Sequence, residues 1–339
     1  MSVPSDYILK ILVVSLASFA VAMLFSPVLI RLLRKMKIGK TIRDEKSAPI
    51  AAKLHAAKAG TPNMGGLVVW VTVAALTLIF SMTSWTFLSR GQTLLPLGAM
   101  IAAALVGLVD DYLNVKKIGP AGGGLRMRHR IISYGAIALV VATWFYTKLG
   151  WDTLHLPFTG TFEIGWWYIP AFVLVIVATQ NAVNITDGLD GLAGGPLVAA
   201  FTAYAVIAVL QGKFDLAIFC AAIIGALMAF LWFNVTPASY FMGDTGAMSL
   251  GTVLGIVAML TNQPLLLVII GFPFVIETCS VIIQLTSKKL RKKKVFLSAP
   301  LHHHLEASGW TEPQIVFRFW LMSLFAAGVG VILALIDRI

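Results

Sequence analysis

The chain has 339 residues, 58% of them hydrophobic and 12% charged, and a mean hydropathy of +0.87. A soluble domain carries about 25% charged residues, so lipid must be the solvent for most of this chain, and we expect a single integral membrane domain over residues 1–339. The net charge of +11 does not mark a nucleic-acid binder, because 20 of the 26 Lys and Arg fall in three segments: nine in Arg31–Lys58, five in Lys116–Arg130 and six in Lys288–Lys294. That asymmetry is the positive-inside pattern of a membrane protein, and such loops also meet anionic headgroups of the bilayer.

Ten apolar runs are predicted as spanning helices, at roughly 8–30, 66–88, 93–109, 131–149, 167–183, 196–211, 215–233, 244–260, 264–286 and 315–336. Each approaches the 20 or so residues needed to cross the hydrocarbon, and each is too long and uniformly apolar for a barrel strand. The first is read as a retained helix, since no basic segment precedes it. Cys220 and Cys279 lie inside apolar runs and form no disulfide framework. The fold class predicted is therefore all-α and polytopic. If the three basic loops are cytoplasmic, an even number of spans places both termini outside. No inverted repeat of the transporter kind is evident.

The polar residues between these runs fall on one side. Lys58 precedes a Gly-rich turn, Gly60 to Gly66, at the start of the second run. A cation beside such a turn suits phosphate, although a lysine that merely sets topology fits this segment equally well. Asp110 and Asp111 close the third run. Adjacent carboxylates repel, and a divalent cation would relieve them. Asn181, Asn184, Asp187 and Asp190 recur at three-residue steps, which on a helix forms one stripe. Gly188 and its neighbouring glycines permit close backbone approach to a base, a ribose or a metal.

Further along, Asp244 lies between Gly243 and Gly246 and follows Phe241, an aromatic able to stack on a flat ring. The plainer reading makes Asp244 an N-cap. His302, His303 and His304 are contiguous after Pro300, a spacing unsuited to a zinc site. In a loop beside six basic residues they read as donors to phosphate or sugar oxygens. Glu277 lies within the ninth run, where a carboxylate is presumed functional unless satisfied by a neighbouring helix.

Carboxylates without a paired Cys/His set favour Mg²⁺ over zinc. Together with cations for phosphate and amides for a base, they point to phosphoryl transfer between a nucleotide and a lipid.

The segments GLVDDYLN, NAVNITDGLDGLAGG, FMGDTGAMSLG and APLHHHLEASGWTEPQIVFRFW resemble those of the polyprenyl-phosphate N-acetylhexosamine-1-phosphate transferases. The likeness runs from about Lys58 to Trp320, and the contiguous histidines are its most specific element. It implies a donor, UDP-N-acetylmuramoyl-pentapeptide, and an acceptor, undecaprenyl phosphate, giving lipid I and UMP at the cytoplasmic face of a bacterial inner membrane. It also implies Mg²⁺ and a homodimer.

Carried over by motif, Asp244 is the main metal ligand with Asp111, and Asp110 and Asp111 are the catalytic pair. Asn181, Asn184, Asp187, Gly188 and Asp190 line the nucleotide site. Phe241 stacks on uracil, and Lys58, His302 and His303 face the diphosphate or amino sugar; His302 and His303 count with Asp244 among the catalytic residues, and His304 among the substrate-binding ones. Two positions depart from the pattern, Asn63 where the family has Thr and Arg130 where it has Lys. Both alter contacts to the ligand rather than the class of reaction. A transferase for another UDP-sugar and a transporter are the competing readings. The histidines count against the first, and polar clusters at loop level count against the second.

Overall fold

The computed structural model describes residues 4–39, 58, 60–120 and 123–337. The basic segment Arg31–Lys58 therefore lies largely outside the described residues. Among them are twelve α-helices and one small hairpin. We number the helices α1 (Ser5–Lys35), α2 (Leu67–Ser81), α3 (Leu94–Val115), α4 (Met127–Leu149), α5 (Tyr168–Thr186), α6 (Gly194–Leu210), α7 (Phe214–Asn234), α8 (Gly243–Leu260), α9 (Leu267–Ile270), α10 (Phe272–Arg291), α11 (Leu301–Ala307) and α12 (Glu312–Ile336).

Among the described residues, seven helical segments are long and apolar enough to cross a membrane: α1, α3, α4, α5 with its preceding turn from Gly165, α7, α8 and α12. The chain is thus a multi-pass membrane protein. The other three expected spans differ for physical reasons. Helices α2 and α6 are apolar but short, at 15 and 17 residues. The ninth run is broken at Gly271 into α9 and α10, and α10 ends in Lys288, Lys289 and Arg291.

Helices α7 and α8 form the centre. α8 is buried almost all round, as a helix apolar on every face must be. It packs against α3 and α5, while α1 packs along α7. The approach of α3 to α8 depends on Gly107, where a Cβ would stand 2.5 Å from the carbonyl oxygen of Asp244. The outer helices turn Leu24, Leu290 and Phe325, each about three-quarters exposed, away from the protein, as a lipid-facing surface requires.

At one end of the bundle, the segment between the apolar runs of α4 and α5 forms an antiparallel hairpin, β1 (Thr153–Leu156) and β2 (Gly160–Glu163), with Thr153 opposite Glu163. His155, in β1, bonds through Nε2 to Asp337 Oδ2 at 2.5 Å, and the N–H of Phe158 donates to Asp337 Oδ1 at 2.7 Å. The hairpin is thus tied to the end of α12. The N–H of His155 also donates to Asn262, which follows α8. At the same end Lys213 donates to the Leu260 carbonyl at 2.7 Å. Every motif singled out from the sequence lies at the opposite end.

Candidate active site

The Gly-rich turn is pinned before any side chain acts. Its main chain bonds to the segment before α8: Phe241 N–H to Pro62 O at 2.8 Å, Gly65 N–H to Phe241 O at 2.6 Å and Gly66 N–H to Met242 O at 2.8 Å. This pairing brings Asn63 to the first turn of α8 and to the C-terminal end of α3, where its amide donates to Asp111 Oδ1 at 2.9 Å.

Helix α3 runs on to Val115, six residues past the end its apolar pattern predicts, so Asp110 and Asp111 lie inside it, and both are buried. Their neighbours in the fold supply the donors that make this tolerable. Asp111 accepts from the main-chain N–H groups of Asp244 at 3.1 Å and Thr245 at 3.0 Å. These are two of the orphan donors at the N-terminus of α8. Asp111, reaching across from another helix, therefore does the capping that the sequence assigned to Asp244. Gly243 permits the geometry: its φ is +73°, and a Cβ there would stand 2.5 Å from Asp111 Oδ2.

Asp244 is left free to point outward from the first turn of α8. Its Oδ1 accepts from Asn184, near the end of α5, at 2.7 Å, and its Oδ2 accepts from Arg130, at the start of α4, at 2.5 Å. The same guanidinium lies 3.5 Å from Asp110 Oδ2, while Asp110 Oδ1 takes the N–H of Leu125. Asn63, Asp110, Asp111, Arg130, Asn184 and Asp244 thus meet at the ends of α3, α4, α5 and α8.

Three carboxylates against one guanidinium leave a formal charge of −2. Asp110 and Asp244 already share one cation, Arg130. Their oxygens are hard donors of the kind Mg²⁺ takes, and Mg²⁺ keeps several waters and uses one or two carboxylates with substrate phosphates. Among the described residues no group of three His, Cys, Asp or Glu is arranged to hold a metal on its own. Asp111 has least to offer: three N–H groups occupy its two oxygens.

A second cluster lies beside the first. The ammonium of Lys58 contacts Asp190 Oδ1 at 2.7 Å and Glu312 Oε1 at 2.5 Å, and Asp190 Oδ2 accepts from the N–H of Ala238 at 3.1 Å. Asp187 and Asp190 do not extend a helical stripe with Asn181 and Asn184, because α5 stops at Thr186. Of that set Asn184 faces Asp244, whereas the exposed Asn181 turns its amide back to Val177 O in its own helix. Asp187 and Gly188 form the turn that follows α5, and Phe241 is mostly buried.

The histidines are helical rather than looped, belonging to α11. Contiguous helical residues point about 100° apart, so the three differ in surroundings. His302 is buried. Its Nδ1 lies 3.1 Å from Glu277 Oε2, its N–H donates to Glu277 Oε1 at 3.1 Å, and its Nε2, without a hydrogen-bond partner, faces Gly188. Glu277 is thereby a satisfied contact between α10 and α11. His303 bonds to Glu306 at 2.8 Å. His304 accepts from Leu297 N–H and, with Lys294, Val295, Phe296, Leu297 and Ala307, lines a separate cavity of about 510 Å³. Sequence reasoning missed Glu312. It lies in the last motif segment, but a glutamate in the first turn of a helix reads as a partner for the helix dipole.

These carboxylates, amides and cations, gathered at one end of a membrane bundle, define a site of the class described as glycosyl transferase family 4, whose profile matches residues 93–262. The chain is 43% identical over 325 residues to the phospho-N-acetylmuramoyl-pentapeptide-transferase of Geobacillus thermodenitrificans, covering 95% of this chain and 97% of the relative. It is 43% identical to that of Shouchella clausii, over 95% and 96% of the two chains, and 41% identical to that of Bacillus anthracis, over 95% and 97%. The chain belongs to the phospho-N-acetylmuramoyl-pentapeptide-transferase family.

Proposed function

We propose that this chain transfers phospho-N-acetylmuramoyl-pentapeptide from its UDP conjugate to undecaprenyl phosphate, giving lipid I and UMP in peptidoglycan synthesis. The observation that carries the reading is the meeting of Asp110, Asp111, Arg130, Asn184 and Asp244, beside Lys58 and Asp190, in a chain of this family. An oxygen of the acceptor phosphate attacks the sugar-linked phosphorus of the donor. The bond from that phosphorus to the bridging oxygen breaks, and UMP leaves with the bond's electrons.

Asp110 is the carboxylate suited to orient the acceptor phosphate or take its proton, since the Leu125 N–H fixes it from one side. Arg130 balances Asp110 and Asp244 and lies where phosphate oxygens would come. Asp244 would hold Mg²⁺, with Asp110 facing the same position and Asp111 contributing through its one remaining acceptor direction. Bound there, the ion supplies charge neutralisation at phosphate oxygens. Lys58 and His303 face the diphosphate and amino sugar, with His302 behind them setting the turn at Gly188. Asn181, Asn184, Asp187, Gly188 and Asp190 read the nucleotide, and Phe241 stacks on uracil. Asn63 holds Asp111, and His304 completes the substrate-binding set.

The same reading counts the short helices α2 and α6 and the broken pair α9–α10 as the remaining three of ten spans, with both termini outside, a site on the cytoplasmic side of the bacterial inner membrane, and a homodimer. The test is UMP release from purified protein given undecaprenyl phosphate and either UDP-N-acetylmuramoyl-pentapeptide or other UDP-N-acetylhexosamines. Release with the muramoyl substrate alone supports the assignment. Release only with another sugar overturns it.

A further inference from the structure

Lys58 is the basic residue just before the Gly-rich turn, yet its ammonium does not stand free. It is held between Asp190 and Glu312, at 2.7 and 2.5 Å. The same Glu312 Oε1 also accepts the main-chain N–H of Asp190 at 2.7 Å. One oxygen therefore fixes both a cation and the backbone of the loop it faces. The Asp190 side chain is 2% exposed and that of Glu312 14%, so water competes little for these bonds.

Helix α12 does not need Glu312 for its own start. Thr311 and Gln314 already form a reciprocal capping box there, with Thr311 N–H donating to Gln314 Oε1 at 3.1 Å. The rest of α12 reaches the same loop: the indole N–H of Trp320 donates to Gly191 O at 2.9 Å. Helix α12 is the wall against which the loop between α5 and α6 is set, and Glu312 is its polar contact with Lys58.

We propose that Glu312 is a positioning residue for the donor nucleotide. It aims the remaining N–H of Lys58, and fixes Asp190, for an anionic uridine nucleotide while taking no part at the reacting phosphorus. This rests on the reading that Lys58 and Asp190 face the donor. A lysine has three donors on a flexible stem, and two carboxylates leave one of them with a defined direction. Removing Glu312 frees the stem and leaves the Asp190 N–H without its acceptor. Donor binding suffers, while the acceptor lipid and the Asp110–Asp244 cluster do not.

The test uses the full-length protein in detergent, with UMP as the probe in calorimetry and with steady-state kinetics for both substrates. Glu312→Gln is expected to weaken UMP binding and raise the donor KM about tenfold, the weight of a hydrogen bond to a charged group. The acceptor KM should stay unchanged and kcat should fall no more than about threefold. Glu312→Asp should recover part of the loss. The double variant with Lys58→Ala should lose less than the two single losses combined, because both act through one contact.

Unchanged UMP affinity in Glu312→Gln, with affinity lost in Lys58→Ala, overturns the proposal and spares the donor reading. Unchanged affinity in Lys58→Ala overturns that reading itself. If Glu312→Gln does not fold, the same comparison is made with Glu312→Asp. Equal rises in donor and acceptor KM would mean a merely structural role and overturn the proposal.

Discussion

Arg130 and Asp244 meet at 2.5 Å, a guanidinium at the start of α4 against a carboxylate in the first turn of α8. Helix N-termini attract anions, so Asp244 needs no partner to be tolerated there. Its two oxygens nevertheless go to Asn184 and Arg130, each from a different helix. Asp244→Asn keeps the shape and can still bond Asn184. It removes the charge that a divalent cation needs. Turnover is expected to fall by on the order of 10²-fold or more, the scale of losing one group that stabilises developing charge. The thermal midpoint in detergent should change little. Substantial activity at ordinary Mg²⁺ would contradict the metal role.

Arg130 spans two carboxylates, at 2.5 Å to Asp244 and 3.5 Å to Asp110. A lysine carries the same charge but not the planar fork, and it can sit on only one of them. Arg130→Lys is therefore expected to lower kcat/KM about tenfold, and Arg130→Met by a further large factor. Kinetics of the two variants side by side separate charge from geometry. Equal losses would show that charge alone matters at this position.

How much of this was legible in the sequence differs by residue. The gathering of Asp110, Asp111, Asn184 and Asp244 follows from the alternation of apolar runs, because each lies near a helix end of the same parity. Asp111 as a cap for α8 was not legible. Capping is read from residues next to a helix in the chain, and here the acceptor comes from α3, 133 residues away from Asp244. The histidines were misread as a loop because Pro300 and the basic run suggested one. Only a helix separates their three directions. The hairpin Thr153–Glu163 was hidden because strands of four residues give too few alternations to stand out. Glu312 was hidden because its ordinary place at a helix start already explained it.

The hairpin's attachment gives a pH dependence with a definite sign. Partial desolvation of Asp337 works against ionisation, but the bonds from His155 and the Phe158 N–H, with the attraction of His155, hold its carboxyl below its ordinary value of 3.8. A depressed carboxylate contributes stability that is present above its unfolded value and lost as pH falls through the folded one. The tie between hairpin and α12 should therefore hold at neutral pH and loosen only below about 3.8. Hydrogen exchange at the Phe158 amide, followed downward in pH, reads this directly. Asp337→Asn should show faster exchange already at pH 7. Equal protection in the variant and the parent would mean that the carboxylate does not hold the hairpin.

Glu277 and His302 are both almost wholly buried, and the glutamate accepts from the ring and from the main-chain N–H of the same residue. An intramembrane carboxylate invites a role in transport or catalysis, but one satisfied on its own helix neighbour has a different task. Through it α11 is anchored to α10, and the far edge of the imidazole is pressed against Gly188 in the turn after α5. Glu277→Ala would strand both donors in a dry interior, a loss of about 3 kcal/mol. Glu277→Gln keeps one carbonyl acceptor and should lose about half of that. The thermal midpoints of the two variants should follow that order, and donor KM should rise with the fall in stability as the turn at Gly188 loosens. If Glu277→Ala instead kept its midpoint and lost only kcat, the glutamate would be part of the chemistry rather than the anchor of the histidine helix.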